Sequence, residues 1–483
     1  MEATTSRIKW QCVALFLLTV AIIVIGRQMH GAPTILGDDM WGTTAVLGNP
    51  YEVVVFTLRW DLHPPFYYML LDLWAIVSKS DTWLSLSSTV THATLVSFVY
   101  WYVVRVRKNF FGAVIAATLT FCSPLLLEYS AQIRMYPLIA LISFFLFYLI
   151  EEHAKGKSSV LKWIFLLEIL LVYTHAIGLL FVFSHFCFGA YLVIKNKNNL
   201  IKWVLLHALL FVFSLPAIAN SLVRSVSHTK LPSFEQTLGA VGNMFASGPV
   251  YAVIIPILIM LWALAYKNHR AIILCYLFTP ILIYSAISLL MKPMWLDRNF
   301  IFAIPMLSIT LGVFLTKFKV NRLLMMVLLV VLSVNNFSHW KIKDYAAASN
   351  SFDQVIAFLN SRIAASEQKI CIISADKMST FWTLERYLVG TDWGNPMEVQ
   401  PPLNERWGQL KQHLPSPVPE ILMLKNTVNY TESQNLIIAS GYAKRCEAEA
   451  SAATYYVTIA SDESYPEKTQ VFANNTWKVL LLK

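Results

Sequence analysis

The chain is poor in charge. Of its 483 residues only 14% are Asp, Glu, Lys or Arg, while 57% are hydrophobic and the mean hydropathy is +0.55. A soluble domain of this length would need far more polar surface, so that class is excluded. Cysteine is scarce as well, with six in all. Cys12, Cys122, Cys187 and Cys275 fall in or near apolar runs and read as core packing. Only Cys371 and Cys446 lie in more polar sequence, so a single disulfide is permitted and a disulfide framework is not. There is no internal repeat and no low-complexity tract. The long apolar runs also lack period-two alternation, which excludes a β-barrel. Runs of about 17–25 apolar residues match a bilayer core of about 30 Å when helical, and helices satisfy their backbone in lipid.

The net charge of +10 is local: residues 1–340 carry +11 and the remainder −1. A nucleic-acid partner therefore has no support. The excess follows membrane topology and suits an anionic lipid phosphate as substrate. Basic clusters mark the cytoplasmic side. They are Arg7/Lys9, Arg105/Arg107/Lys108, Lys155/Lys157/Lys162, Lys195/Lys197/Lys202, Lys267/Arg270 and Lys317/Lys319/Arg322. Their spacing predicts about eleven spans, near 10–29, 83–104, 110–127, 136–150, 161–175, 177–194, 200–218, 249–266, 271–290, 299–316 and 322–338. The N-terminus is then inside and the C-terminus outside. Residues 66–77 are too short to cross and read as an interfacial helix, with Asp72 on its wet face. Residues 1–29 read as an uncleaved first span.

The fold class expected is a polytopic α-helical membrane protein with an extracytoplasmic α/β domain at its C-terminus. Residues 1–340 form the membrane module, with a first external loop at 30–82. Residues 341–483 form the soluble domain, with strand-like runs at 369–374 and 421–424 and helices near 351–364 and 380–388.

With that topology, scattered polar residues share the outer side. The first loop supplies Asp38, Asp39, Asp61 and His63. The loop after the third span runs Glu128-Tyr129-Ser130-Ala131-Gln132-Ile133-Arg134-Met135-Tyr136. Tyr173-Thr174-His175 sits at a tight turn, and Lys292 and Asp297-Arg298-Asn299 follow the ninth span. Cations at headgroup depth bind phosphate through charge-assisted hydrogen bonds, arginine bidentately, and stabilise it as a leaving group. A carboxylate opposite them serves as general base toward a hydroxyl. Arg134 and Arg298 lie on the side the positive-inside rule disfavours, which argues for function. Blander readings stand beside these. Asp38 and Asp39 suit the N-cap of a helix starting at Met40. His63 can hold a turn before two prolines, and His175 can be a hydrogen-bonded core histidine. Glu168, inside the fifth span, has internal pairing as its only reading. Two aspartates and a histidine could bind a divalent cation, yet no motif has strong ligand spacing, so no metal or other cofactor is assigned.

Asp38-Asp39 resembles the acidic pair in the first external loop of the GT-C superfamily of lipid-linked sugar transferases. Asp61-Leu62-His63-Pro64-Pro65-Phe66-Tyr67-Tyr68 resembles the His-Pro-Pro-Leu-Tyr-Tyr segment of its bacterial branch related to protein mannosyltransferases. Ser130–Tyr136 is similar to that branch's Ser-Gln-Glu-Ala-Arg-Met-Tyr, and Tyr173-Thr174-His175 and Asp297-Arg298-Asn299 also fit. The resemblance covers about residues 8–340. It implies a polyprenyl-phosphate sugar donor and an inverting transfer, with Asp38 as base and Asp39 second. The donor phosphate and substrate would be held by Asp61, His63, Arg134, Tyr136, His175, Lys292 and Arg298. The acceptor it implies is a cell-envelope glycan or lipid, O-antigen being the leading case, at the bacterial inner membrane with the C-terminal domain periplasmic. Gln132-Ile133 stands where the branch has Glu-Ala, which removes a carboxylate. A proton-coupled lipid or glycan transporter and an envelope polysaccharide polymerase or ligase are the competing functions. The first should show paired repeats, and the second uses a diphosphate-linked glycan.

Overall fold

The computed structural model describes residues 2–29, 39–46, 49–60, 63–175, 178–224, 234–248, 267–290, 296–317, 321–340, 352–359, 361–362, 370–374, 453–459, 469–473 and 477–481. Asp38, Asp61, Lys292, Cys446, the expected span 249–266 and the expected elements near 380–388 and 421–424 lie outside the described residues. The chain divides into two compact units.

The first unit holds residues 1–29, 62–74 and 82–341 and is helical. Its helices include α1 (Glu2–Met29), α4 (Phe66–Trp74), α5 (Asp81–Arg105), α6 (Phe110–Phe121), α7 (Pro124–Ser130), α8 (Tyr136–Ala154), α9 (Leu161–Val172), α10 (Gly178–Lys195), α11 (Leu200–Arg224) and α12 (Phe234–Gly242). Asp81 itself, at the start of α5, belongs to the second unit. A helix with a π-type turn at Leu274–Phe278 occupies 267–290. A 3-10 segment, Asp297–Ala303, leads into the helix Ile304–Leu315, and Arg322–Ser338 follows. Among the described residues six helices are long and apolar enough to cross a bilayer, or seven if the bent pair α6–α7 is one span. α5 is long enough, but its Ser, Thr and His content keeps it out of that set. α9 and Arg322–Ser338 are shorter than 18 residues. The chain is thus a multi-pass helical membrane protein.

Two expectations are corrected. The run 110–127 is not one straight helix: it breaks at Cys122-Ser123 with a bend of 58°. Pro124 lacks the N–H that would continue α6 and instead occupies the first position of α7, whose N-cap Ser123 accepts from the Leu126 N–H. The carbonyl of Cys122 at the break accepts from Asn336 Nδ2 at 2.8 Å. Asp72 is not on a wet face. It is buried with Tyr67, Tyr68 and Leu71 along one side of α4, while Met69, Leu70 and Leu73 are exposed. At nine residues, about 14 Å, α4 is far too short to cross.

Close packing of small residues sets the bundle. A Cβ on Gly312 would lie 2.5 Å from the Gly112 carbonyl oxygen, so α6 and Ile304–Leu315 touch backbone to backbone. Asn109 caps α6 on Gly112 N at 2.8 Å and donates to Thr316 Oγ1 at 2.6 Å, holding the ends of those helices together. Glu168 does pair internally. Its Oε1 lies 3.0 Å from His207 Nε2, fully buried, and joins α9 to α11. Cys122 and Cys275 are buried free thiols, and Cys12 and Cys187 are free and partly covered.

The second unit holds residues 30–61, 75–81 and 342–483. Described within it are α2 (Asp39–Thr44), α3 (Pro50–Trp60), a helix at 352–359 whose Phe352, Val355 and Leu359 are buried, and a four-stranded sheet. The strands are β1 (Ile370–Ser374), β2 (Ala453–Ile459), β3 (Thr469–Ala473) and β4 (Trp477–Leu481), in the order β1-β2-β4-β3. β1 and β2 are parallel, with Ile372 opposite Tyr455, and the other pairs are antiparallel, with a bulge between Gln470 and Phe472.

Candidate active site at the ends of the helices

Three turns of the first unit bring most of the described candidates together. The first joins α7 to α8. It is pinned to α5, where Ser88 Oγ donates to the Arg134 carbonyl at 3.0 Å and Thr89 Oγ1 to the Ser130 carbonyl at 2.7 Å. Arg134 is therefore held by its own backbone in a buried position, and Tyr136 opens α8. The second turn joins α9 to α10 and carries His175. It is tight because residue 178 is glycine: a Cβ there would sit 2.5 Å from the Leu171 carbonyl oxygen. The third is the 3-10 segment with Arg298 and Asn299. The Asn243 amide donates to Asp297 at 3.2 Å and so ties this segment to the residues after α12.

Tyr136 is the hub. The Arg298 guanidinium lies 5.6 Å from the centre of its ring and that of Arg134 6.0 Å. His175 packs on the same ring at 5.6 Å, and Tyr129 at 4.3 Å. His63 meets His175 edge-on at 4.9 Å. The segment after His63 is fixed by a backbone bond from Phe66 N to the Tyr173 carbonyl, 2.9 Å. Arg298 also hydrogen-bonds the Tyr129 hydroxyl. Five of the nine expected site residues (His63, Arg134, Tyr136, His175, Arg298) thus form one cluster. Asp38, Asp61 and Lys292 lie outside the described residues. Asp39 belongs to the second unit, where it is the first residue of α2 and is buried.

The cluster contains two guanidinium groups and two imidazoles. Burial first, then the neighbouring His63, Arg298 and Arg134, push the His175 imidazole well below its ordinary range, so it is neutral at pH 7. α8 and α10 begin at Tyr136 and Gly178, so the positive ends of two helix dipoles lie beside the two guanidinium groups. Among the described residues no group of three or more His, Cys, Asp or Glu converges.

Tyr129, Tyr284 and Asn299 belong to the same neighbourhood and were not singled out from sequence. Asn299 Nδ2 donates to the Tyr284 hydroxyl. The signal for Tyr284 was a tyrosine interrupting an apolar span, easily read as interfacial. Tyr129 and Asn299 lay inside motifs already noted, overshadowed by the adjacent charges.

A multi-pass helical bundle with a cationic, partly buried cluster at its helix ends defines the class of scaffold. No protein-family model and no curated protein sequence matches the chain. Solved structures that share its fold include two of one protein. ArnT from Cupriavidus metallidurans in the apo state superposes with a TM-score of 0.60 at 11% identity. The same protein bound to undecaprenyl phosphate gives 0.58 at 11%. In each case the likeness covers 96% of this chain and 97% of the other. The fold of this chain is thus that of ArnT over nearly its whole length.

Proposed function

We propose that the protein is an inverting glycosyltransferase that moves a hexose from polyprenyl (undecaprenyl) phosphate to a cell-envelope glycan or lipid, O-antigen being the leading case. The observation that carries this reading is the pair of guanidinium groups on the Tyr136 ring beside neutral His175, in a fold shared with a protein solved with undecaprenyl phosphate. Arg134, Arg298, Lys292 and the helix dipoles hold the donor phosphate and stabilise it as it departs. Uncharged His175 and Tyr136 shape the site without adding charge. Asp38, with Asp39 second, takes the proton from the acceptor hydroxyl as its oxygen attacks the anomeric carbon from the face opposite the phosphate. Asp61 and His63 line the donor or acceptor. On this reading the chain crosses the bacterial inner membrane about eleven times, the chemistry is on the outer face, and residues 341–483 are a periplasmic domain.

Purified protein incubated with radiolabelled undecaprenyl-phosphate hexose and envelope glycan should transfer label to acceptor. Asp38→Asn should abolish transfer. Full activity in Asp38→Asn with loss in Asp39→Asn moves the base role to the neighbour, and activity in both variants removes it from the pair. A polymerase or ligase would require a diphosphate-linked glycan in place of the monophosphate donor.

A further inference from the structure

Among the described residues, Asn299 carries an unfilled hydrogen-bonding position next to Arg298. It follows Arg298 in the 3-10 segment, is 3% exposed, and its backbone N–H is already bonded to the Leu296 carbonyl at 3.0 Å. The amide Nδ2 donates to the Tyr284 hydroxyl. The other end of the amide, Oδ1, is buried and has no hydrogen-bond partner among the described residues. An orphaned buried acceptor is costly, and a leucine of similar size would fill the same volume without that cost. A ligand that supplies a donor removes the penalty.

The neighbours indicate which donor. Arg134 and Arg298 give many N–H groups and suit phosphate oxygens, whereas a carboxamide oxygen repels them, because both are acceptors. What an acceptor beside a phosphate site can recognise is a hydroxyl on whatever the phosphate carries. Tyr284 fixes the amide rotation, and its ring lies 5.9 Å from that of Phe300, the next residue in the segment. Resting on the glycosyltransferase reading above, we propose that Asn299 is a specificity-determining residue whose Oδ1 accepts a hydrogen bond from a hydroxyl of the donor's sugar, with Tyr284 as its positioning residue.

The test compares two probes on the full-length protein in nanodiscs: undecaprenyl phosphate and undecaprenyl-phosphate hexose. Asn299→Ala should weaken the hexose-bearing probe by about tenfold and leave undecaprenyl phosphate within about twofold of wild type. Tyr284→Phe, which keeps the ring, should shift selectivity the same way by a smaller factor and guards against misfolding of the first variant. Equal weakening of both probes, or no change for either, overturns the assignment of Asn299. Wild-type protein that binds neither probe overturns the donor reading itself, and this assignment with it.

Discussion

If Arg134 and Arg298 share one phosphate, replacing either should damage donor binding far more than it damages the fold. Each guanidinium brings a charge-assisted interaction to the phosphate, about 1.5–3 kcal/mol in a partly desolvated site. Arg134 is 4% exposed and Arg298 more open, so Arg134 should sit toward the upper end of that range. At about 2.8 kcal/mol, Arg134→Ala should weaken undecaprenyl phosphate by about 100-fold. Arg134→Lys keeps the charge but loses the planar fork and its stacking on Tyr136, so about tenfold is expected. Ligand-induced stabilisation reads this directly. At a lipid concentration about 100 times the wild-type dissociation constant, wild type gains about 2.7 kcal/mol, while a variant weakened 100-fold gains about 0.4. The ligand-free melting temperature of the lysine variant should stay close to wild type, because the backbone of residue 134 is held by Ser88 whatever the side chain is. Lysine variants that bind as wild type, together with alanine variants that lose less than about threefold, would refute a phosphate site built on these two arginines.

Other expectations follow from the same geometry. His175 is kept neutral in the folded state with its proton affinity depressed, whereas the unfolded chain protonates it near pH 6.5. Below pH 6.5 the unfolded state binds the extra proton, so stability falls as pH drops, by up to about 1.4 kcal/mol per pH unit, and is fully present above it. His175→Gln should remove that share of the slope between pH 6.5 and 5.5 in thermal melts, and an unchanged slope would contradict a buried neutral imidazole. Gly178→Ala should cost about 1–3 kcal/mol and reduce transfer with it, since the new Cβ meets immobile backbone at Leu171 and Val172 and displaces His175. Asn336 donates to the Cys122 and Phe245 carbonyls at 2.8 and 2.7 Å and accepts from Ser247 N at 3.0 Å. Asn336→Leu orphans all three in an apolar setting, so a loss of about 3–5 kcal/mol, or failure to accumulate in the membrane, is expected. Glu168→Gln keeps the shape and a hydrogen bond to His207 and should be tolerated, whereas Glu168→Leu should lower the melting temperature by unpairing His207.

Much of this was legible in the sequence because membranes impose one-dimensional rules. Runs of apolar residues and alternating basic clusters marked most of the helices that the structure contains, and Arg134 and Arg298 were conspicuous because each stood where the charge rule expects none. What was not legible depended on three-dimensional register. The break at Pro124 hid inside unbroken apolarity, since Cys122-Ser123-Pro124 changes the backbone without changing hydropathy. Asp72 looked solvated on polarity alone, although it falls four residues after Tyr68 and one after Leu71, on the side of α4 that turns inward. Glu168 and His207 are 39 residues apart, and no pattern along the chain pairs them.

The arrangement around Tyr136 also bears on how two cations, one of them buried, sit so close together. Two guanidinium groups near one another, with helix dipoles of the same sign, repel, and a protonated histidine would worsen this. The depressed proton affinity of His175 removes that third charge, while the faces of Tyr136 and the hydroxyl of Tyr129 give the guanidinium groups partial compensation. Attraction between these guanidinium groups and a phosphate should weaken as salt is added only to the extent that the site is open to water. Undecaprenyl phosphate affinity measured from 50 to 500 mM NaCl should accordingly drop less than tenfold for wild type and more steeply for Arg134→Lys, whose ammonium is better hydrated. A steep wild-type dependence would mean that the lipid meets solvated surface charge, leaving the arginine pair without the role assigned to it.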